Sequence, residues 1–357
     1  KPPAMRVVVD SREARSNRDS AQIQIDQLNE EQRRAVEHPD GTLLIVAGPG
    51  TGKTLTLTIR IAHCIRDKGI APEHVLAVTF TRKAAEEMQQ RLRTILGDRH
   101  PLPLTTTFHS LCYKILSDLN PKDTFGIIDE DDRKKLITKA VERVRDFGIE
   151  VSLKPQQLRD QIIAAKQQIQ GPEDIAPAQH LSVDNRALAE VYHSYQNLLS
   201  IQGLYDYEDL IFKVVRLLES DQKICKKYRC RFEHIFVDEY QDLNHGQYRI
   251  IRALAPSDAA KQNVCAIGDP DQSIYGFRGS DVRYFTRFVD DYPNTTVIEL
   301  TRNYRSTKTI LDASYQIIQD HRLHCGNART YSMIDGAKTI NILELVSGKA
   351  EARAIAG

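Results

Sequence analysis

The chain has 357 residues, 27% of them charged and 41% hydrophobic, with a formal net charge of +1. That length suits about two domains, and the near-balanced charge excludes a globally basic nucleic-acid binder, so any such surface must be local. No apolar run approaches the ~20 residues of a membrane span, no signal peptide is visible, and the six cysteines form no Cys-x-x-Cys pair, so free thiols in a reducing compartment are expected rather than a metal or iron–sulfur site.

The chain opens at Lys1, as a segment of something longer would. Residues 1–20 are polar and Arg-rich (Arg6, Arg12, Arg15, Arg18), the pattern of a flexible basic tail, with a DNA-contacting arm as the alternative. In Leu28-Asn29-Glu30-Glu31-Gln32, Asn29 and Gln32 have the spacing of a helix start, where side-chain oxygens cap free N–H groups. An amide there could also read the edge of adenine.

Residues 42–46 form an apolar, β-branched strand. Ala47-Gly48-Pro49-Gly50-Thr51-Gly52-Lys53-Thr54 follows, opening a helix with apolar positions from Leu55 to Ile65. Strand, glycine-rich turn and Gly-Lys-Thr at a helix start are the context of a phosphate-binding loop, although the strict pattern begins with Gly where this chain has Ala47. Glycines let successive N–H groups turn inward, and the helix N-terminus adds positive potential where a polyphosphate sits. Lys53 would reach the β- and γ-phosphates, and the Thr54 hydroxyl would hold Mg²⁺.

Residues 75–80 predict a second buried strand, with a helix opening after Thr81. Residues 104–108 predict a third, ending at His109-Ser110. This alternation argues for an α/β fold with a parallel sheet and helices on both faces, whose ligands gather at the carboxyl ends of the strands. From 111 to 204 the pattern is helical, an inserted unit rather than a loop of improbable length. Within it, Asp129-Glu130-Asp131-Asp132 suits the first turn of a solvated helix. The sheet pattern then resumes with strands at 234–237, 264–267 and 296–300. They end in Asp238-Glu239-Tyr240-Gln241-Asp242, Gly268-Asp269-Pro270-Asp271-Gln272 and Thr301-Arg302-Asn303-Tyr304-Arg305-Ser306. Every strand carries its polar cluster at the same end, around one crevice facing the phosphate loop.

Hydrolysis of a nucleoside triphosphate needs a phosphate cradle, a metal, a group that orients water and positive charge for the transition state. Asp238 fits the Mg²⁺ carboxylate beside Thr54, and Glu239 the general base. Gln272 could sense the γ-phosphate, Arg305 could neutralise charge developing on it, and Tyr304 could stack on a base. A second set, Phe80, Phe108, His109, Tyr275, Phe277 and Arg278, also follows strand ends. Aromatic and basic residues together suit single-stranded nucleic acid, each stacked base contributing roughly 1–3 kcal/mol. The phenylalanines could equally be core. Arg82, Lys83 and Arg278 would neutralise backbone phosphates.

Taken together these stretches resemble the UvrD/Rep/PcrA-like branch of superfamily 1 DNA helicases, from about Leu28 onward and in that family's order. Leu28-Asn29-x-x-Gln32 resembles its Q motif, residues 47–54 motif I, residues 79–85 motif Ia, and Thr107-Phe108-His109-Ser110 a DNA-contacting motif. Asp206-Tyr207-Glu208-Asp209-Leu210 resembles the return from an inserted subdomain. Residues 237–242 resemble motif II, residues 268–280 motif III and residues 303–306 motif IV. Ala47 is at home in this branch. The resemblance implies a RecA-like P-loop NTPase domain over 21–110 and 205–300, a helical inserted subdomain over 111–204, and the start of a second RecA-like domain over 301–357. It implies ATP and Mg²⁺ as cofactors and single-stranded DNA and its junctions with duplex as partner, with repair or recombination proteins as further partners and no membrane. Localisation would be cytoplasmic and nucleoid-associated in a bacterium, nuclear in a eukaryote.

By the same resemblance Gln32 contacts adenine, Tyr304 stacks on it, Arg305 is one of two arginines at the γ-phosphate, and Thr79, Phe80, His109, Tyr275, Phe277 and Arg278 line the single-strand track. Phe277 stands where the family usually has Trp, and Arg82 where Asn is common. The family's later motifs are unmatched, so the expectation is weak nucleotide and DNA binding, poor hydrolysis and no unwinding by this stretch alone. A nucleotide-gated binding module without turnover and the motor part of a helicase–nuclease are the alternatives.

Overall fold

A computed structural model describes residues 25–98, 100–119, 125–175, 183–258, 263–323, 329–336, 340 and 344–356. The expected tail over 1–20 and most of an expected strand at 340–345 lie outside the described residues. Six strands, β1 (Leu43–Ala47), β2 (Val75–Thr79), β3 (Leu104–Thr107), β4 (His234–Val237), β5 (Asn263–Gly268) and β6 (Thr296–Leu300), form one sheet in the order β3-β2-β4-β5-β1-β6. All pairs are parallel.

Of the inner strands, β1, β2 and β4 are buried along their whole length and β5 at all but its first residue, as expected of a parallel sheet covered on both faces. Alternate residues feed opposite cores. Leu44, Val46, Leu76, Val78, Ile235 and Val237 enter one; Leu43, Ile45, Ala47, Val75, Ala77 and Phe236 enter the other. The α/β fold expected from the sequence is therefore the fold observed. The register sets Val46 opposite Gly268, Ala47 opposite Leu300 and Val78 opposite Val237, so the polar clusters leave the sheet along one rim.

Helices α1 (Glu30–Glu37), α2 (Lys53–Arg66) and α3 (Arg82–Leu96) follow from local signals. Asn29 and Gln32 form a reciprocal capping box. The Thr81 hydroxyl accepts from the Ala84 N–H at 3.1 Å and starts α3. Helix α4 (Phe108–Leu119) runs directly from β3 and buries Leu111, Cys112, Ile115 and Leu116 in the sheet's own core. The separately cored helical layer therefore begins beyond α4, not at residue 111. It comprises α5 (Glu130–Asp146), capped by Asp129 with acids in its first turn, α6 (Pro155–Gln167) and α7 (Val183–Ile201), around Leu136, Ile137, Leu158, Ile162, Val191 and Tyr195. Helix α8 (Tyr207–Ser220) returns the chain to the sheet's core through Leu210, Ile211 and Val214.

Beyond β6, Arg302–Asn303 pairs in parallel with Tyr331–Ser332, flanked by a helix over Lys308–Ile318. A helix spans Gly348–Ala356. Cys64, Cys112, Cys225 and Cys265 are buried free thiols and Cys230 an exposed one. Among the described residues no helix is long and apolar enough to cross a membrane.

Candidate active site

Between Ala47 and Lys53 the backbone reverses through Gly50 and Gly52 at φ +69° and +85°, a region that side chains with a Cβ disfavour. Space enforces the same choice: a Cβ on Gly50 would lie 2.6 Å from Asn303 Nδ2, and one on Gly52 2.8 Å from Gln32 Nε2. The loop's carbonyls are held, one from within and three from outside. Thr51 Oγ1 donates to Gly48 at 2.8 Å, Gln32 Nε2 to Thr51 at 2.9 Å, Asn303 Nδ2 to Pro49 at 2.5 Å and the Tyr304 N–H to Gly50 at 2.8 Å. With those carbonyls engaged, the concave side of the loop and the N-terminus of α2 form an anion cradle.

Lys53 enters this cradle with a side chain 10% exposed, its Nζ 3.3 Å from Gln272 Oε1 and 3.9 Å from Glu239 Oε2. Gln272 is oriented by donating through Nε2 to Asp269 Oδ2 at 2.6 Å. Asp238, at the end of β4, is buried and within hydrogen-bonding reach of the Thr54 hydroxyl. Burial, and then the charge of Glu239, push its carboxyl up to about 7. A carboxylate so short of compensating positive charge fits a divalent cation. Glu239 sits at φ 49°, ψ 50°, a left-handed conformation costing a non-glycine residue on the order of 1–3 kcal/mol. Asp242 is also raised, to about 6, by burial and Glu239.

The facing wall begins at Asn303. It is buried, and its Oδ1 accepts the N–H groups of Arg305 and Ser306 at 2.8 and 2.7 Å. That turn sets exposed Arg305 against the loop, its Cβ 2.7 Å from where a Gly50 side chain would start. Tyr304 is 46% exposed, accepts from Asn29 Nδ2 at 2.9 Å, and carries the Arg302 guanidinium over its ring. Gln32 uses its oxygen on the Asn29 N–H and its nitrogen on the loop. One N–H and one lone pair remain for a base edge.

A second groove, of about 470 Å³, opens on the same rim, lined by Phe80, His109, Tyr207, Asn244, Phe277 and Arg278. Phe80 stacks on Tyr275 at 4.9 Å, Tyr275 meets Phe277 at 6.1 Å, and Arg278 lies over both of the latter rings. Phe277 is 80% exposed. Arg82 and Lys83 are exposed at the start of α3. Two residues depart from expectation. Phe108 opens α4 with its ring turned into the core, so it offers no face to a base. Thr79 is buried, its hydroxyl donating to the Thr81 carbonyl at 3.0 Å, and it shapes the turn rather than the surface.

His109 stacks on Tyr207 at 3.9 Å. Burial first, and then the Arg82 charge, lower its pKa to about 4, so it acts as a neutral ring at physiological pH. The unfolded chain takes up this proton near pH 6.5 and the folded chain only near 4. The resulting stability is complete above 6.5 and lost as pH falls through 4, amounting to at most about 3 kcal/mol. Urea unfolding between pH 4 and 7 should therefore depend less steeply on pH in His109→Phe; an unchanged slope would contradict this assignment.

Several long-range contacts escaped the sequence reading, although their residues stood in motifs that it named. Asn29, Asn303 and Tyr207 act through partners more than ninety positions away in sequence, which spacing cannot reveal. Gln241 and Asp269 stood inside recognised clusters, but their hydrogen bonds depend on how β4 and β5 are juxtaposed.

Comparison with known proteins agrees with this geometry. The profile of the UvrD/REP helicase N-terminal domain matches residues 28–293. "ATP-dependent DNA helicase PcrA" of Staphylococcus aureus (strain Mu50 / ATCC 700699) is 38% identical over 302 residues, which are 83% of this chain and 40% of that protein. "ATP-dependent DNA helicase UvrD1" of Mycobacterium tuberculosis (strain CDC 1551 / Oshkosh) is 39% identical over 308 residues, 82% of this chain and 39% of that protein. The chain thus spans about 40% of the length of the curated relatives it matches. With a profile covering most of its length and the motif residues gathered at one rim of a parallel sheet, the chain belongs to the UvrD/REP helicase N-terminal domain family.

Proposed function

We propose that this chain is the ATP-binding N-terminal portion of a DNA-stimulated ATPase that translocates on single-stranded DNA and unwinds duplex. The observation that carries the reading is segment 269–278. Near its start, Gln272, oriented by Asp269, accepts from Lys53 in the phosphate cradle, and at its end Phe277 and Arg278 line the second groove with Tyr275 packed against them. A nucleotide site and a nucleic-acid site built from one short segment suit a machine in which each ligand senses the other.

In this reading Lys53 and the loop N–H groups hold the ATP phosphates, Tyr304 stacks on adenine, and Gln32 reads its edge. Thr54 and Asp238 would hold Mg²⁺, which would supply charge neutralisation at the transferred phosphoryl group. Glu239 accepts the proton of the attacking water, Gln272 monitors the γ-phosphate, and Arg305 faces the charge that develops there. Residues from 301 onward begin a second lobe that closes on the nucleotide. Single-stranded DNA crosses the groove, with bases on Phe80, Tyr275 and Phe277 and phosphates on Arg82, Lys83 and Arg278.

Phosphate release measured with and without an oligothymidine tests the reading. From a low basal rate, and without unwinding by this stretch alone, a rise of at least roughly tenfold on adding DNA is expected of a P-loop motor whose arrangement its ligand completes; equal background in both would favour a binding module without turnover. Phe277→Ala should weaken oligothymidine binding by about 5- to 150-fold in fluorescence anisotropy, the loss of one stacked base. Its ring is already 80% exposed, so the thermal midpoint should stay put. Unchanged DNA affinity would remove Phe277 from the track.

A further inference from the structure

Motif II and the segment after β5 are joined chiefly by one residue. Gln241 is 2% exposed. Its Nε2 donates to Glu239 Oε2 at 2.8 Å, and its Oε1 accepts the Asp269 N–H at 3.0 Å. Its carbonyl accepts from Ser273 Oγ at 3.3 Å. Downstream the two segments stay laced: the Asp281 N–H donates to the Leu243 carbonyl at 2.9 Å, and Asn244 bridges Ser280. The place for the amide is made by Gly268, where a Cβ would fall 2.2 Å from Gln241 Oε1 and 3.2 Å from the Tyr240 backbone nitrogen.

We propose that Gln241 is the positioning residue through which the DNA-facing segment 269–280 controls where the Glu239 carboxylate sits. The inference rests on the function proposed above and assigns a relay within it. Glu239 occupies a left-handed backbone conformation that persists only where its surroundings over-determine it, and the amide of Gln241 donates to its carboxylate from the neighbouring turn. A carboxylate that must approach a water between Lys53 and Asp238 cannot also turn freely. A base seated on Tyr275 or Phe277 bears on the loop that presents the Asp269 N–H and Ser273 Oγ to Gln241. Displacement of that loop moves one end of the amide, and the other end moves Glu239. The carboxamide matters because it donates on one side and accepts on the other; an apolar side chain of equal length does neither.

The experiment uses the full chain and Gln241→Met, which keeps length and burial and removes both hydrogen bonds. Three quantities are read: ATP turnover with and without oligothymidine, KM for ATP, and oligothymidine affinity by anisotropy. The expected result is a split. KM and DNA affinity stay within about threefold, while the DNA-stimulated rate falls at least roughly tenfold toward the unstimulated rate, as for a lost positioning contact. Gln241→Glu, which can accept from Asp269 but repels Glu239, should be uncoupled in the same way. Gln241→Asn, one methylene too short to reach both partners, replaces Gln241→Met should that variant fail to fold by circular dichroism. A stimulation ratio equal to wild type, or a loss explained wholly by weaker DNA or ATP binding, would overturn the relay. Absence of DNA stimulation in the wild-type chain itself would overturn the underlying functional reading as well, and the two failures are told apart by the wild-type control.

Discussion

Replacement of Glu239 by glutamine is expected to lower DNA-stimulated phosphate release by roughly 10²–10⁴-fold, the range for removing a general base, while ATP·Mg²⁺ binding stays within about threefold. The physical basis is the separation of tasks at the end of β4. Asp238 is buried and faces Thr54, which in the proposed reading assigns it to the metal. Glu239 lies 3.9 Å from Lys53 and is tied to Gln241, which in the proposed reading assigns it to the water. Glutamine keeps the shape and the hydrogen bond with Gln241 and removes the proton acceptor. Single-turnover phosphate release and fluorescent-nucleotide titration separate the two effects. If the glutamine variant turned over at the wild-type rate, the base would have to be sought elsewhere, with Asp242 next in line.

Lys166→Met should destabilise the protein by about 3–5 kcal/mol, the cost of stripping a partner from a buried ion pair. Lys166 leaves the end of α6 with a fully buried side chain. Its Nζ lies 2.6 Å from Asp206 Oδ2 and 2.9 Å from Asp209 Oδ1, and above the rings of Tyr192 and Tyr195. Both carboxylates are buried and also form the capping box of α8. Burial would raise the pKa of Asp206, yet the Lys166 ammonium outweighs it and holds that carboxyl below its ordinary range. Methionine fills the volume and leaves two buried carboxylates facing each other without the ammonium that bridges them. The lysine also ties the helical layer to the helix that re-enters the sheet, so the loss should appear as earlier release of that layer. Urea midpoints of the variant, and of Lys166→Met combined with Asp206→Asn and Asp209→Asn, check the account. The triple variant should recover part of the loss, and a single-variant shift below about 1 kcal/mol would contradict it.

Much of the site was legible before any coordinates because its signals are local. A glycine at positive φ between an apolar strand and a helix is a steric statement about a few consecutive residues, so the loop at 47–54 could be read directly. Asp238-Glu239, Gln272 and Arg305 were legible for a related reason: each follows a buried strand, and strands of a parallel sheet deliver their ends to one rim. The resemblance to the helicase branch then ordered these pieces, and the family profile bears that out.

Other features required the folded chain. Phe80 and Phe108 look alike in sequence, both apolar rings just after a strand. Phe80 precedes a capped turn and remains half-buried on the groove, whereas Phe108 is already the first residue of α4 and its helical backbone directs the ring inward. The limit of the helical layer moved past α4 because a helix pattern reports which positions are apolar, not which core receives them. The strand order was equally hidden, since β5 enters the sheet between β1 and β4 and no local signal encodes pairing across two hundred residues.

The sequence by itself determined the phosphate loop, the parallel α/β class and the identity of the acids and aromatics at the strand ends, because dihedral limits, burial periodicity and short-range capping act within a turn or a strand. Only the tertiary structure decided which of those aromatics face solvent, that Asn303 closes the wall against Gly50, and that Gln241 joins Glu239 to the Asp269 turn. Those facts are distances between remote residues, and long-range packing sets them.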